Sequence, residues 1–244
     1  MQSEVGTVQV GSISPLLSNI YLHYVLDLWV RQWRQKQAHG EVIFVRFADD
    51  FVAGFEHRYA AERFLAELRE RFARFELALH PDKTRIVEFG RWAERNRRRR
   101  GGGKPETFNF LGFTHSCGKA RKGWFVVLRQ TMRQRWQAKL RTLKDELRRR
   151  MHMPIAEQGA YLRSVLLGHF RYYGVPRNGP AISAFRAAVA RLWHAVLNRR
   201  SQGRHVPWRR MSRFVIRWLP RASICHPYPQ ARLGVLTQGG SRMR

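Results

Sequence analysis

Acid is scarce in this chain. Seventeen Asp and Glu stand against 46 Lys and Arg in 244 residues, a formal net charge of +29. A surface of one sign repels itself unless a polyanion lies near, which makes nucleic acid the natural partner. Long apolar runs are missing too. None approaches the roughly 18 residues of a membrane-spanning helix, and the N-terminus lacks the basic-then-apolar order of a signal peptide. No membrane is therefore expected among the partners. Cysteine is nearly absent. Cys117 and Cys225 make neither a disulfide framework nor a Cys-x-x-Cys knuckle. His115-x-Cys117 and Cys225-His226 could in principle share a zinc ion, but their spacing matches no common structural pattern. A reducing, cytoplasmic, nucleic-acid-associated setting fits this usage. Apolar residues are ample by contrast: they make up 44% of the chain and eight are Trp, enough for a core.

The few acids include one adjacent pair. Phe44-Val45-Arg46-Phe47-Ala48-Asp49-Asp50-Phe51-Val52 places Asp49 and Asp50 between two runs of β-branched and aromatic residues, which predicts a hairpin over 42–55 with the pair at its turn. Neighbouring carboxylates repel, and a divalent cation with an oxygen preference, Mg²⁺ above all, relieves the repulsion. An ordinary polar turn is the other reading of this stretch.

Around the hairpin the pattern alternates between helix and strand. Ser14-Pro15 reads as an N-cap followed by Pro at the first helical position. Leu17, Tyr21, Tyr24 and Leu28 follow as an apolar stripe, with Gly40 as the stop. The loop from Gly6 to Ser12 then meets a helix N-terminus, either an ordinary entry or a place for an anion or base. A helix over 59–76 carries Ala61, Leu65, Leu68, Phe72 and Phe75 as its stripe. His80-Pro81-Asp82 makes a turn, Lys83 follows, and 85–89 reads as a short strand. Residues 91–107 hold Arg97, Arg98, Arg99 and Arg100 and then three glycines. They read as a flexible basic loop that is solvated or bound to phosphate. A second hairpin pairs 108–113 with 124–128.

From residue 130 the periodicity is helical. Met132, Trp136, Leu140, Leu143, Leu147 and Met151 share one face. Helices over about 156–173, 182–196 and from Trp208 follow, and their short connections predict an all-α bundle. Arg199, Arg200, Arg209 and Arg210, with Arg204, Arg213, Arg217 and Arg221, crowd around Trp208 and His205. Basic residues interleaved with aromatics suit phosphates and unstacked bases. The expected fold class is α+β followed by helices, and the tail 230–244 is expected to be disordered.

Six segments in this order resemble the reverse transcriptase/maturase proteins encoded by group II introns. They are Gln9-x-Gly11-x-x-Ser14-Pro15-Leu16-Leu17-x-Asn19-Ile20-Tyr21-Leu22, Phe47-Ala48-Asp49-Asp50, Leu79-His80-Pro81-Asp82-Lys83-Thr84, Phe110-Leu111-Gly112-Phe113, Gly168-His169-Phe170-Arg171-Tyr172-Tyr173-Gly174-Val175 and His226-Pro227-Tyr228-Pro229. The resemblance spans about residues 5–232. It implies a partial right-hand palm over 1–128, an antiparallel sheet with helices, and an all-α thumb/maturase region over 129–229.

It also implies RNA-directed DNA synthesis by a two-metal mechanism together with help in RNA splicing, as in a mobile element of bacterial type. Asp49 and Asp50 would hold Mg²⁺, and Lys83 would contact or protonate the triphosphate. Gln9, Gly11, Ser14, Pro15 and Asn19 would line the nucleotide and template site, with Phe110, Leu111 and Gly112 as the primer grip. The implied partners are group II intron RNA, an RNA template, a DNA primer and deoxynucleotide triphosphates.

The sequence departs from the family at Val8 and Val10, where Pro and Gly are usual. The fingers and first palm half, which carry another metal-ligating Asp, are not found before Gly6. The expectation is a truncated member, inactive alone, with a separate chain supplying that half. A non-catalytic intron-RNA-binding splicing factor is the alternative.

Overall fold

The computed structural model describes residues 13–200 and 205–228. The expected tail 230–244 lies outside the described residues. The chain is a mixture of helices and two small antiparallel sheets, of two and three strands, in line with an α+β class. Two compact units divide between Glu88 and Phe89.

The first unit runs α1 (Ser14–Leu22), a π-helical turn (His23–Asp27), α2 (Leu28–Lys36), β1 (Val42–Phe47), β2 (Asp50–Phe55) and α3 (Arg58–Ala73). Alternation sets the hairpin's faces. Val42, Phe44 and Phe51 turn to the core, while Ile43, Val45 and Phe47 are exposed on the other face. An aromatic group fills the core. Phe64 of α3 lies 5.2, 5.0 and 5.1 Å by ring centroid from Trp29, Trp33 and Phe55. The Trp33 indole N–H donates to Glu67 Oε2 at 2.7 Å, so that buried ring keeps its polar partner.

This packing corrects two expected stripes. The buried residues of the first helical segment are Val25, Leu26, Val30 and Trp33, while Leu17, Tyr21, Tyr24 and Leu28 are exposed. On α3 the buried set is Ala60, Phe64, Leu68 and Phe72, one position off the expected line at its N-terminal half. In both helices the face that meets the aromatic group is the one buried. The π-helical turn also offsets α2 from α1, a local widening of the kind that often accompanies functional sites. The Arg71 guanidinium donates from Nε to the Val25 carbonyl at 2.7 Å within that turn.

Three further expectations fail locally. Ser14 is the first helical residue and Ile13 takes the cap position, so Pro15 falls one place later in the first turn. No strand forms over 85–89 among the described residues, since a strand needs a hydrogen-bonded neighbour and none is in register there. Residues 91–107 are not a continuous loop, because Ala93–Arg99 forms α4. Arginine is a good helix former, and a Glu94–Arg98 pair at 3.3 Å spans one turn.

The second unit holds α4, a three-stranded meander and four helices. The meander is β3 (Phe108–Phe110), β4 (Phe113–Lys119) and β5 (Phe125–Thr131), in the order β3-β4-β5. Helices α5 (Arg133–Arg149), α6 (Ile155–Tyr173), α7 (Gly179–Asn198) and α8 (Trp208–Trp218) follow. Their apolar faces form one core around Leu147, Leu162, Leu166, Phe185, Trp193 and Met211. Trp218 seats α8 against α6 where residue 159 is glycine; a Cβ there would overlap the indole ring.

His169 is buried in this core, stacked on Phe185 with centroids 3.8 Å apart and leaning on Tyr173 at 4.6 Å. Burial, with a smaller contribution from the Lys139 charge, pushes its imidazole down to about 4. Between that value and the usual 6.5 the unfolded chain takes up the proton and the folded chain does not. Stability is therefore full above pH 6.5 and is lost as pH falls toward 4, by about 3 kcal/mol. His169→Phe is expected to remove this slope. Denaturant unfolding of wild type and variant at pH 7 and at pH 4 checks it.

Candidate functional site

The β1–β2 hairpin is in full register, from Val42 opposite Phe55 to Phe47 opposite Asp50. That leaves Ala48 and Asp49 as the turn itself, with Asp50 opening β2. Both carboxylates are exposed at the tip. Ala48 sits at φ 53°, a left-handed conformation that costs a residue with a Cβ about 1–2 kcal/mol. Something must hold the turn against that cost.

Arg46 does so. Its Nη1 donates to the Ala48 carbonyl at 2.8 Å and to Asn19 Oδ1 at 2.9 Å. Its Nε and Nη2 form a two-pronged pair with Asp27, at 2.8 and 2.6 Å. The Arg46 side chain is 13% exposed and that of Asp27 29%. The Arg46 hydrogen bonds hold the Asp27 carboxyl below its ordinary value, outweighing burial, which pushes it up. One guanidinium thus links the π-helical turn, α1 and the Asp turn, and five-donor planar geometry is what makes this possible. Sequence reading missed Arg46 and Asp27. The available signal was Arg46 on the inward parity of β1, behind Val42 and Phe44, where a charge requires a buried partner.

Arg46→Met is expected to destabilise the first unit by about 2–3 kcal/mol, because Asp27 is left partly buried without its partner. Pairing it with Asp27→Leu is expected to recover part of that loss. A double-mutant cycle by urea unfolding measures both.

The remaining predicted site residues divide by what their side chains already do. Gln9 and Gly11 lie outside the described residues. Pro15 is in the first turn of α1 beside Ser14. Asn19 is engaged at both ends of its amide: Nδ2 donates to the Pro15 carbonyl at 2.9 Å and Oδ1 accepts from Arg46. It positions the turn through Arg46. Lys83 is exposed in the turn that follows His80, and among the described residues no hydrogen bond or ion pair joins it to Asp49 or Asp50.

In the second unit, Phe110 ends β3, and Leu111 and Gly112 form the turn into β4, at φ 48° and 75°. Two successive positive φ angles make the tight hairpin turn that matches strand twist. The Tyr172 hydroxyl donates to the Leu111 carbonyl at 3.0 Å, and Tyr173 approaches the position a Gly112 Cβ would take. The adjacent tyrosines of α6 therefore support the Phe110-Leu111-Gly112 turn, a link between two motifs that are 61 residues apart.

Of the basic residues, Arg97 pairs with Glu106 at 2.9 Å and Arg98 with Glu94. Arg99, Arg199, Arg209 and Arg210 are exposed, and Arg200 donates to the His152 carbonyl at 3.4 Å. Arg209 and Arg210 open α8 beside exposed Trp208.

Mg²⁺ binds through one or two carboxylates and completes its shell with water and substrate phosphates. Asp49 and Asp50 fit that requirement. Among the described residues no group of three or more His, Cys, Asp or Glu gathers to hold a metal. The same finding removes the shared zinc of His115, Cys117, Cys225 and His226. His226 Nε2 instead meets the Arg171 carbonyl at 2.6 Å.

Residues 2–115 match the family model described as reverse transcriptase (RNA-dependent DNA polymerase). The match takes in the Asp hairpin, its supporting helices, α3, Lys83, α4, the Phe110-Leu111-Gly112 turn and the start of β4. No curated protein matches the chain.

Proposed function

We propose that this chain is an RNA-directed DNA polymerase of the group II intron type, with a partial right-hand palm over 1–128 and a thumb/maturase region over 129–229. The observation that carries the reading is the Asp49-Asp50 pair, held at a braced hairpin tip inside the stretch that matches the reverse transcriptase family. Asp49 and Asp50 would hold Mg²⁺. Bound there, it would activate a primer 3′-hydroxyl and neutralise the departing pyrophosphate. The chain's own part is placement. Arg46 fixes the tip, Lys83 meets triphosphate charge, and the exposed face of Ile43, Val45 and Phe47 leaves the carboxylates open to a primer end and a nucleotide. Phe110, Leu111 and Gly112 grip the primer.

A two-metal site takes a further carboxylate, and we assign it to a separate chain carrying the fingers and first palm half. The experiment is extension of a DNA primer on an RNA template by the full chain with deoxynucleotides and Mg²⁺. Template-directed product from the chain alone overturns the expectation that it is inactive without the missing half, and no product even when that half is supplied in trans sinks the reading.

A second reading is favoured by the lack of a third carboxylate beside the pair among the described residues. In it the chain is a non-catalytic intron-RNA-binding splicing factor that works through its basic helical unit. Tight, salt-sensitive binding of intron RNA without any extension supports that reading.

A further inference from the structure

A cleft of about 150 Å³ in the helical unit is lined by Arg163 of α6, Arg186 of α7, Arg217 of α8 and Arg221, with Ile216, Leu219 and Pro220. No acidic residue lines it, and none of the four arginines has an ion-pair partner among the described residues. This differs from the Arg97–Arg100 run, where Arg97 and Arg98 have carboxylate partners.

One of the four is built in. Arg186 Nε donates to the Pro220 carbonyl at 2.8 Å and its Nη2 to Leu219 at 3.1 Å and Val215 at 3.5 Å. These bonds cap the C-terminal end of α8. They fix the guanidinium plane and leave Nη1 for a ligand. Burial first, and the nearby Arg221 charge second, hold Arg186 below its ordinary value. Four like charges around one concavity are unfavourable until an anion enters, and arginine forks match the oxygens of a phosphate in pairs.

The lining also says which phosphate. Ile216 is 80% exposed at the rim, beside Leu219 and Pro220. A free phosphate has no use for an apolar rim, whereas the sugar carbons on either side of a phosphodiester do.

We propose that this cleft is a phosphate site for a nucleic-acid strand, seating one internucleotide phosphate on Arg163, Arg186, Arg217 and Arg221 while the flanking sugar rests on Ile216. The site rests on the reading that the chain handles nucleic acid, but not on polymerase activity. It gives the helical unit one defined contact within its diffuse positive field.

The test is fluorescence anisotropy with a labelled single-stranded RNA at several salt concentrations. The cleft variant is Arg163→Gln/Arg217→Gln/Arg221→Gln, whose side chains are exposed and leave the Arg186 cap in place. The control is Arg133→Gln/Arg141→Gln/Lys144→Gln on the exposed side of α5, which removes the same charge. The cleft variant is expected to lose about tenfold more affinity than the control and to show the shallower salt dependence. Equal losses overturn the site. A wild-type chain that binds no strand overturns the broader nucleic-acid reading instead.

Competition identifies the source of the phosphate. If a strand occupies the cleft, millimolar inorganic phosphate or nucleoside triphosphate displaces the RNA no better than chloride at equal ionic strength. Displacement by either at that level, in wild type and not in the cleft variant, keeps a phosphate site and assigns it to the small ligand.

Discussion

With the fingers and first palm half supplied in trans, Asp49→Ala is expected to reduce RNA-templated DNA synthesis on the order of a thousandfold and to leave folding and RNA binding unchanged. The size follows from what the carboxylate would stabilise: charge that develops on the attacking and departing oxygens, for which one preorganised group commonly supplies two to three orders of magnitude. The selectivity follows from the geometry. Asp49 is exposed in a turn whose shape is held by Arg46 through the Ala48 carbonyl, so the Asp49 side chain is not part of the brace. Asp49→Asn is expected to behave like Asp49→Ala, since the amide keeps the shape and loses the charge. Single-turnover incorporation rates, with denaturant unfolding and RNA anisotropy on the same samples, check all three expectations. A variant that unfolds at lower denaturant would instead make Asp49 a structural residue.

Gln158→Leu is expected to cost the helical unit about 4 kcal/mol. Gln158 is fully buried. Its Nε2 donates to the carbonyls of Arg150, Met151 and Met153 at 3.0, 3.2 and 3.0 Å, which closes the end of α5. Its Oε1 accepts the Trp193 indole N–H at 2.9 Å from α7. Leucine fills the volume but leaves the indole N–H and the loop carbonyls buried without partners, at about 1–3 kcal/mol for each group that water cannot reach. Gln158→Glu keeps the acceptor for Trp193 and turns carboxylate oxygens toward the carbonyls, so it is expected to be severely destabilising as well. Urea unfolding followed by tryptophan fluorescence measures both.

These two residues mark what a sequence shows and what it hides. The bundle was legible because its stripes are long and regular. Leu143, Leu147, Leu162, Leu166, Phe170, Ile182, Phe185 and Val189 are all buried as their spacing predicts. The Asp hairpin was legible because its flanking runs are β-formers interrupted at one place. Along the first helical segment, from α1 into α2, the stripe Leu17, Tyr21, Tyr24, Leu28 was equally regular and lies exposed, because which apolar face is buried is decided by the partner, here the aromatic group around Phe64. Strand β4 was hidden by its composition: Phe113-Thr114-His115-Ser116-Cys117-Gly118-Lys119 has no apolar alternation and exists because β3 and β5 pair with it on either side.

The buried polar devices were hidden for another reason. Arg46 with Asp27, Gln158 with Trp193, and Asn178 bridging Thr131 and the Tyr173 carbonyl join residues with no periodic relation in the chain. Asn178 reads as a loop residue before Gly179-Pro180, yet it is fully buried. Such pairs follow from the fold and do not announce it. At the candidate site the sequence pointed to the carboxylates, and the structure added the guanidinium that holds them in place.

The most direct test of the Asp49-Asp50 assignment is paramagnetic broadening of backbone amide signals by Mn²⁺, titrated into the full chain with a nucleoside triphosphate present. Signals from Phe47 to Phe51 are expected to broaden first, and Asp49→Ala is expected to abolish this while the rest of the spectrum is kept. Broadening that begins elsewhere, or that persists at the tip in Asp49→Ala, would contradict the assignment.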